Sequence, residues 1–356
     1  MSLDTANVRP AAHATATVAA THGHGHGHGH GAAAPPQPSG ETTHAIVFRE
    51  AGRLGTHEAS LREAAADEVV VDTAYSSISA GTERLLFSGK LPGFPMLRFP
   101  LVPGYESAGI VARVGADVRD VAVGDEVFVG GSMCYTDVAG VFGGNAARLL
   151  KKAAQVVPLH GIPLAHAPLL ALAATSLHGV RRLGDVADRR VAVLGMGAIG
   201  NFAARFLHAA GAHVTCADVS AARLADTPGG CDPLDVSATP LEDALRGLDA
   251  IVEATGRSEE IARCARALRP GGTIALLSYY DELRTPFVDL FVNEVSLLVA
   301  REWTHPDLLA ARDAFANGSI TIGRMADHVV PVAEYERAYR TAFEDPSVPK
   351  VILQWA

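Results

Sequence analysis

The sequence predicts an α/β fold in which a β-rich, barrel-like unit precedes a doubly wound parallel sheet, and three observations carry that prediction. From Arg190 onward, short apolar runs alternate with helical patterns: "VAVLG", "HVTCAD", "DAIVEATG" and "TIALLS". Runs without polar alternation mark strands buried on both faces, and strand–helix alternation builds a parallel sheet through right-handed crossovers. Ahead of them, "EVVVDTAY", "SAGIVARVG" and "DEVFVG" read as short strands punctuated by glycine and proline, a spacing that suggests a compact barrel-like unit. A glycine-spaced turn then joins the first parallel strand to the helical stretch "AIGNFAARFLHAAGA".

Taken in order, residues 1–43 are Ala, Thr, Pro, Gly and His with hardly a large apolar side chain, so they are expected to form a disordered tail. Within it "THGHGHGHGHG" places histidines at 22, 24, 26, 28 and 30. Imidazoles suit zinc, nickel or copper; a metal-binding tail and an inert one both fit. Residues 44–165 form the β-rich unit. The apolar pattern "PLAHAPLLALAATSLHGVRRL" bridges into the parallel-sheet domain, 166–320, and 321–356 with its strand-like "KVILQW" is expected to return to the first domain.

Composition limits the function. The 356 residues are 48% hydrophobic and 19% charged, enough for two domains with sizeable cores, and the net charge of −9 argues against a nucleic-acid partner. Cysteines 134, 216, 231 and 264 form no CxxC and no pairing pattern, which fits a reducing cytoplasm. No apolar run reaches about 18 residues, so no membrane span is expected, and no basic-then-apolar leader is visible.

"VAVLGMGAIGNF" sets Gly195, Gly197 and Gly200 in GxGxxG spacing between a strand and a helix, with Asp218 closing the next strand. In that context Gly195 allows the tight turn, Gly197 lets backbone approach a pyrophosphate, and Gly200 lets the helix pack on the sheet. The helix start at Ala198 and Ile199 offers unpaired N–H groups to phosphates. Asp218 would hydrogen-bond the ribose hydroxyls and repel a 2′-phosphate, and the nearest following arginine is Arg223. The expected cofactor is NAD.

The order of the two domains, with "SAGTERL" and "PGYES", resembles the medium-chain dehydrogenase/reductase superfamily, whose first domain is GroES-like and whose second is a Rossmann domain. Zinc members carry C-G-T-D and then G-H-E; here Ala80 stands at the cysteine, Tyr105 at the histidine, and Ala171 near the third ligand. Catalytic zinc needs about three protein ligands, so no metal is expected; the lobe for a structural zinc offers only Cys134. The resemblance makes Thr82 the proton-relay hydroxyl and puts Glu83 and Glu106 at the acid positions around the absent metal. Their alternative is a structural ion pair with a nearby arginine such as Arg84. Tyr105 is either a hydrogen-bond donor to the substrate or a ring filling vacated space. A phenol with an ordinary pKa of about 10 serves as donor or relay more readily than as base.

Further stretches, "YSSISAGTERLLFSGKLPGFPMLRFPLVPGYESAGIV", "GGSMCY", "VFGGNAARLL", "LLALAATSLHG" and "VAREW", resemble the bacteriochlorophyllide a dehydrogenases of photosynthetic bacteria across residues 44–356. The resemblance implies oxidation of a 3-(1-hydroxyethyl) side chain of a (bacterio)chlorophyllide to 3-acetyl in bacteriochlorophyll biosynthesis, with NAD⁺ taking the hydride. It also implies a tetrapyrrole partner, peripheral contact with a membrane surface and a homodimer. Phe94, Met96, Leu97 and Phe99 on a proline-stiffened loop suit a flat pigment; Arg84, Arg98 and Lys151 are weaker partners for its propionate, and Tyr279 and Tyr280 weaker pocket residues. Two other readings stay open: another zinc-free alcohol dehydrogenase or quinone/enone reductase, and a non-catalytic nucleotide-sensing or metal-buffering protein.

Overall fold

In the computed structural model the strand Pro38–Glu50 turns at Gly52 and returns as Arg53–Arg62, an antiparallel hairpin with Ile46 opposite Thr56. The structure describes residues 38–91, 98–280 and 282–355. The hairpin begins inside the segment that composition assigns to a tail: Pro38 pairs with Arg62, and Ser39 Oγ donates to the Leu61 carbonyl at 3.0 Å. Backbone pairing satisfies a polar segment without apolar side chains. The His22–His30 run lies outside the described residues, as do Phe94, Met96 and Leu97.

Two sheets build the β-rich part. One has four strands, Arg53–Arg62, Pro38–Glu50, Leu101–Val102 and Ala139–Gly140 in spatial order. The other has seven, with Glu68–Ser77 and Ser107–Val114 side by side at its centre. Val71, Val102, Val111, Val127 and Leu149 fill a shared core. The chain's last strand, Ile352–Gln354, pairs antiparallel with Glu68–Ser77, setting Leu353 opposite Ser76. The C-terminal segment therefore returns to the sheet that carries the site, bringing the helix Tyr335–Glu344 with it.

Between them the chain makes a six-stranded sheet in the order Asp232–Asp235, His213–Asp218, Arg190–Leu194, Leu248–Glu253, Leu268–Leu276 and Ser296–Val299, every neighbouring pair parallel. Numbered along the chain this is 3-2-1-4-5-6, with its switch point beside the first strand. Val191 and Val193 face the helices Leu170–Arg182 and Ala198–Ala209, whereas Ala192, Leu194 and Ile251 face the helix Glu260–Ala267. Burial on both faces is why these strands read as unbroken apolar runs. The first of those cores also takes in Ala108 and Phe128 from the seven-stranded sheet, so it is continuous between the two parts, and Tyr105 packs at its edge. Among the described residues no helix is long and apolar enough to cross a membrane.

Candidate active site

The strand Arg190–Leu194 ends in a turn that needs glycine at its first position. Gly195 has φ +96°, in the left-handed region, and its N–H donates to the Ala217 carbonyl at 2.8 Å. A Cβ on Gly200 would stand 1.9 Å from the Gly195 carbonyl oxygen, so the helix and the turn touch backbone to backbone. Gly197 is the N-cap of the helix Ala198–Ala209, and a Cβ there would meet nothing within 4 Å. The space over the turn is open, and the N–H groups of the first helical turn, Ala198 and Ile199 among them, lack intrahelical acceptors. These features fit a dinucleotide pyrophosphate.

Asp218 lies beside that turn, 4% exposed. One carboxylate oxygen accepts the Met196 N–H at 2.7 Å and the other the Ser220 N–H at 2.9 Å. Arg223, which the sequence placed only as the nearest downstream arginine, sits with Nη1 3.6 Å from Asp218, while its Nε donates to the Pro346 carbonyl. Where a ribose is expected, the chain thus presents an ion pair rather than a bare carboxylate.

The second half of the site gathers hydroxyls. Ser79 holds the N-cap position of the helix Ala80–Phe87 without a side-chain cap, and Thr82, three residues on, lies on the same side of its first turn. Tyr105 follows Gly104 (φ +92°) into the strand Ser107–Val114. Its hydroxyl lies 2.5 Å from Ser79 Oγ and 3.4 Å from Thr82 Oγ1. Burial, and then the nearby Glu106 carboxylate, push the Tyr105 phenol well above its ordinary pKa, despite the two hydroxyl contacts that lower it. It therefore stays protonated at physiological pH and has a proton to donate. Ser79 is the residue the motif reading missed, although the "SAGTE" string holds it one helical turn before Thr82. Around the phenol, the Phe142 ring stands edge-on at 5.0 Å and the Trp303 ring lies tilted at 5.9 Å.

Beneath the hydroxyls lie the two acids, both fully buried. Glu83 accepts the Ser79 N–H at 2.9 Å through one oxygen; through the other it accepts the Tyr339 hydroxyl at 2.6 Å and the Asn145 amide at 3.4 Å. Burial raises its pKa to about 7, more than these donors lower it. Glu106 meets Lys350 Nζ at 2.5 Å and the Ser77 hydroxyl through one oxygen; its other oxygen has no hydrogen-bond partner among the described residues. The arginine expected as their ion-pair partner is elsewhere: Arg84 donates to the Phe343 carbonyl and lies 5.7 Å over that ring. The partners are Tyr339 and Lys350 instead, because the C-terminal return brings them under the helix. No local pattern in the sequence signals either.

Ala80 and Ala171 offer no donor atom where zinc members carry ligands, and among the described residues no three His, Cys, Asp or Glu side chains gather to hold a metal ion. The weaker pocket residues scatter. Lys151 donates to the Gly131 carbonyl, Phe99 packs in the core around Phe48, and Arg98 is exposed. Tyr279 is half exposed, and Tyr280 packs against the core that faces the helix Glu260–Ala267, on the side of the sheet away from the hydroxyl cluster.

A hydroxyl cluster and a phosphate-binding turn carried by a β-rich domain and a parallel sheet define an alcohol dehydrogenase architecture, and comparison with known proteins agrees. The model for the alcohol dehydrogenase GroES-like domain matches residues 65–161. Over 319 residues the chain is 34% identical to the 2-desacetyl-2-hydroxyethyl bacteriochlorophyllide A dehydrogenase of Cereibacter sphaeroides, covering 88% of this chain and 98% of that protein. With the protein of the same name from Rhodobacter capsulatus the identity is 35% over 316 residues, again covering 88% and 98%. The chain belongs to the medium-chain dehydrogenase/reductase family, as an oxidoreductase of its alcohol dehydrogenase branch. Within that family it is a homologue of the bacteriochlorophyllide a dehydrogenases. Among solved structures, one described as a short chain alcohol dehydrogenase from Escherichia coli CFT073, complexed with NADH, shares the fold with a TM-score of 0.79 at 20% identity, covering 89% of this chain and all of that one.

Proposed function

We propose that this chain oxidises the 3-(1-hydroxyethyl) group of a (bacterio)chlorophyllide to 3-acetyl, with NAD as hydride acceptor and without catalytic zinc. The observation that carries the reading is the Tyr105 hydroxyl, held by Ser79 and Thr82 at a site where Ala80 and Ala171 leave no metal ligands. The names of the two bacterial relatives support the substrate. NAD is supported by the open turn at Gly197 and by Asp218 at the ribose position; the Asp218–Arg223 ion pair makes the preference over NADP a matter for measurement.

When bound, the nicotinamide supplies the hydride acceptor. The chain's own groups then have separate tasks. The Tyr105 phenol donates to the substrate oxygen and orients the carbinol, Ser79 and Thr82 fix the phenol, the carbinol's hydroxyl proton leaves through the half-buried Thr82 hydroxyl to water as the hydride passes to NAD⁺, and Glu83 with its layer of donors fixes Ser79 through its amide. A Lewis acid is worth several kcal/mol at a developing alkoxide. The need for one falls when the carbinol carbon is attached to a conjugated macrocycle, because the forming ketone joins that conjugation. A dimer is supported at the edge strand Ser296–Val299, where Leu297 and Val299 lie exposed beside Phe287, Val288, Phe291 and Val292 with no charge on the strand to block pairing. Sedimentation at two concentrations tests it.

The central test is an absorption spectrum of chelator-treated protein with NAD⁺ and 3-(1-hydroxyethyl)bacteriochlorophyllide a. A red-shifted long-wavelength band growing in step with NADH is the expected result. No shift, with NAD⁺ still bound, would refute the pigment assignment; activity lost to chelator and restored by zinc would refute metal independence.

A further inference from the structure

Each of the three sheets sends one half-buried aromatic ring to the hydroxyl cluster. Tyr105 leads into the seven-stranded sheet, Phe142 follows the strand Ala139–Gly140 of the four-stranded sheet, and Trp303 follows the strand Ser296–Val299 of the parallel sheet. Phe142 meets Tyr105 at an interplanar angle of 73°, and Trp303 at 43°. The strip they form crosses from one part of the molecule to the other, with the Tyr105 hydroxyl at its centre.

Its shape is enforced. Phe142 has φ +67°, a conformation bulky residues rarely adopt, and such outliers persist where the surroundings over-determine them. The Phe142 carbonyl accepts the Ser132 N–H at 2.6 Å and lies so near Gly131 that a Cβ there would stand 2.3 Å from it. At the next residue, Gly143, a Cβ would stand 1.9 Å from the Ser132 carbonyl oxygen. On the other side Gly130 makes room for the indole: a Cβ there would come within 3.3 Å of Trp303 Cζ2. Side chains are therefore missing at Gly130 and Gly131, where the two flanking rings are seated.

We infer that Trp303, with Phe142 opposite it, determines substrate specificity by stacking on an extended planar conjugated ring and presenting an alcohol on that ring's side chain to the Tyr105 hydroxyl. The inference rests on the site being the alcohol-binding site of the proposed reaction, and it names what selects the substrate there. Aromatic faces favour offset stacking with another π-system. Polyols, whose hydroxyls would lose water against indole and phenyl without finding partners, are disfavoured.

The test uses the two tryptophans of the chain, Trp303 and Trp355. Trp355 donates to Ser76 Oγ, and Trp355→Phe leaves Trp303 as the lone indole reporter. Titration of that variant with 3-acetylbacteriochlorophyllide a, in the absence of NADH, should quench Trp303 emission saturably. In the full chain Trp303→Ala should raise KM for the hydroxyethyl pigment about tenfold with kcat and NAD⁺ affinity unchanged, whereas Trp303→Phe, which keeps a stacking face, should recover most of the loss. Trp303→Leu provides the same comparison if the alanine variant does not fold. Absent quenching, an unchanged KM in Trp303→Ala or Trp303→Leu, or a fall in kcat at constant KM would overturn the inference. The two readings fail separately: quenching without oxidation keeps the aromatic wall and refutes the reaction, and oxidation indifferent to Trp303 does the reverse.

Discussion

The nucleotide turn and the hydroxyl cluster are built in opposite ways. At the turn, Gly195, Gly200 and Asp218 all lie within one strand–helix–strand unit, with Arg223 in the short helix that follows, and the groups expected to meet a nucleotide are backbone N–H groups and a single acid. At the cluster, Ser79 reaches Tyr105 over 26 positions, and Tyr339 reaches Glu83 over 256. A backbone-built site needs absences of side chain at fixed spacing, which a string can display. A side-chain site needs partners delivered by the whole fold, which it cannot. The two halves should accordingly fail differently when altered.

The largest effect is expected under the hydroxyl cluster. Lys350→Met leaves the fully buried Glu106 carboxylate without its cation and should cost about 3–5 kcal/mol in urea unfolding, with Glu106→Gln in the same chain recovering much of it. A cost below about 1 kcal/mol would show that the C-terminal return does not hold this half together.

Tyr105→Phe removes the donor proposed for the substrate oxygen and should lower kcat on the order of a hundredfold with NAD⁺ affinity intact. Ser79→Ala, which leaves the longer Thr82 contact, should cost only about fivefold. Equal kcat in Tyr105→Phe and wild type would reduce Tyr105 to a packing ring.

At the nucleotide half, two glycines separate packing from binding. Gly200→Ala drives a methyl into the Gly195 carbonyl and should destabilise by about 1–3 kcal/mol. Gly197→Ala meets open space, so its melting temperature should hold while NAD⁺ affinity falls, read by calorimetric titration. If both variants behave alike, the space over the turn is not the phosphate site.

The smallest effect is a slope. Glu83 and Glu253 both have folded pKa values raised to about 7 by burial, so the native state holds more protons than the unfolded chain between their unfolded values and 7. The stability this confers is complete at acidic pH and is lost as pH rises through about 7. Glu83→Gln should flatten the fall of stability across that window by at most about 1.4 kcal/mol per pH unit, leaving the Glu253 share. An unchanged slope would mean that Glu83 is ionised throughout.

Much of the framework is legible in the string. The runs at 191–194 and 250–252 are apolar because both faces of their sheet are covered, and Gly195, Gly200 and Asp218 stand at spacings that the turn's geometry demands. The hairpin start at Pro38 is not legible, since pairing rather than composition holds it. Nor are Lys350 and Tyr339, ordinary residues in an ordinary helix-and-strand tail, or Arg223, whose relation to Asp218 depends on how the chain turns after its strand.

By itself, then, the sequence determined where strands and helices alternate, which turn has the glycine spacing expected of a phosphate-binding loop, and which residues, Ala80, Tyr105 and Ala171, stand at the positions expected to hold a metal in zinc members of the family. These follow from local spacing and from the chemistry each side chain carries. Tertiary structure alone decided which hydroxyl touches Tyr105, which groups neutralise or share the buried acids, and which rings enclose the site. Those contacts join positions from 26 to 256 residues apart, and desolvation and charge pairing act only once folding has brought them together.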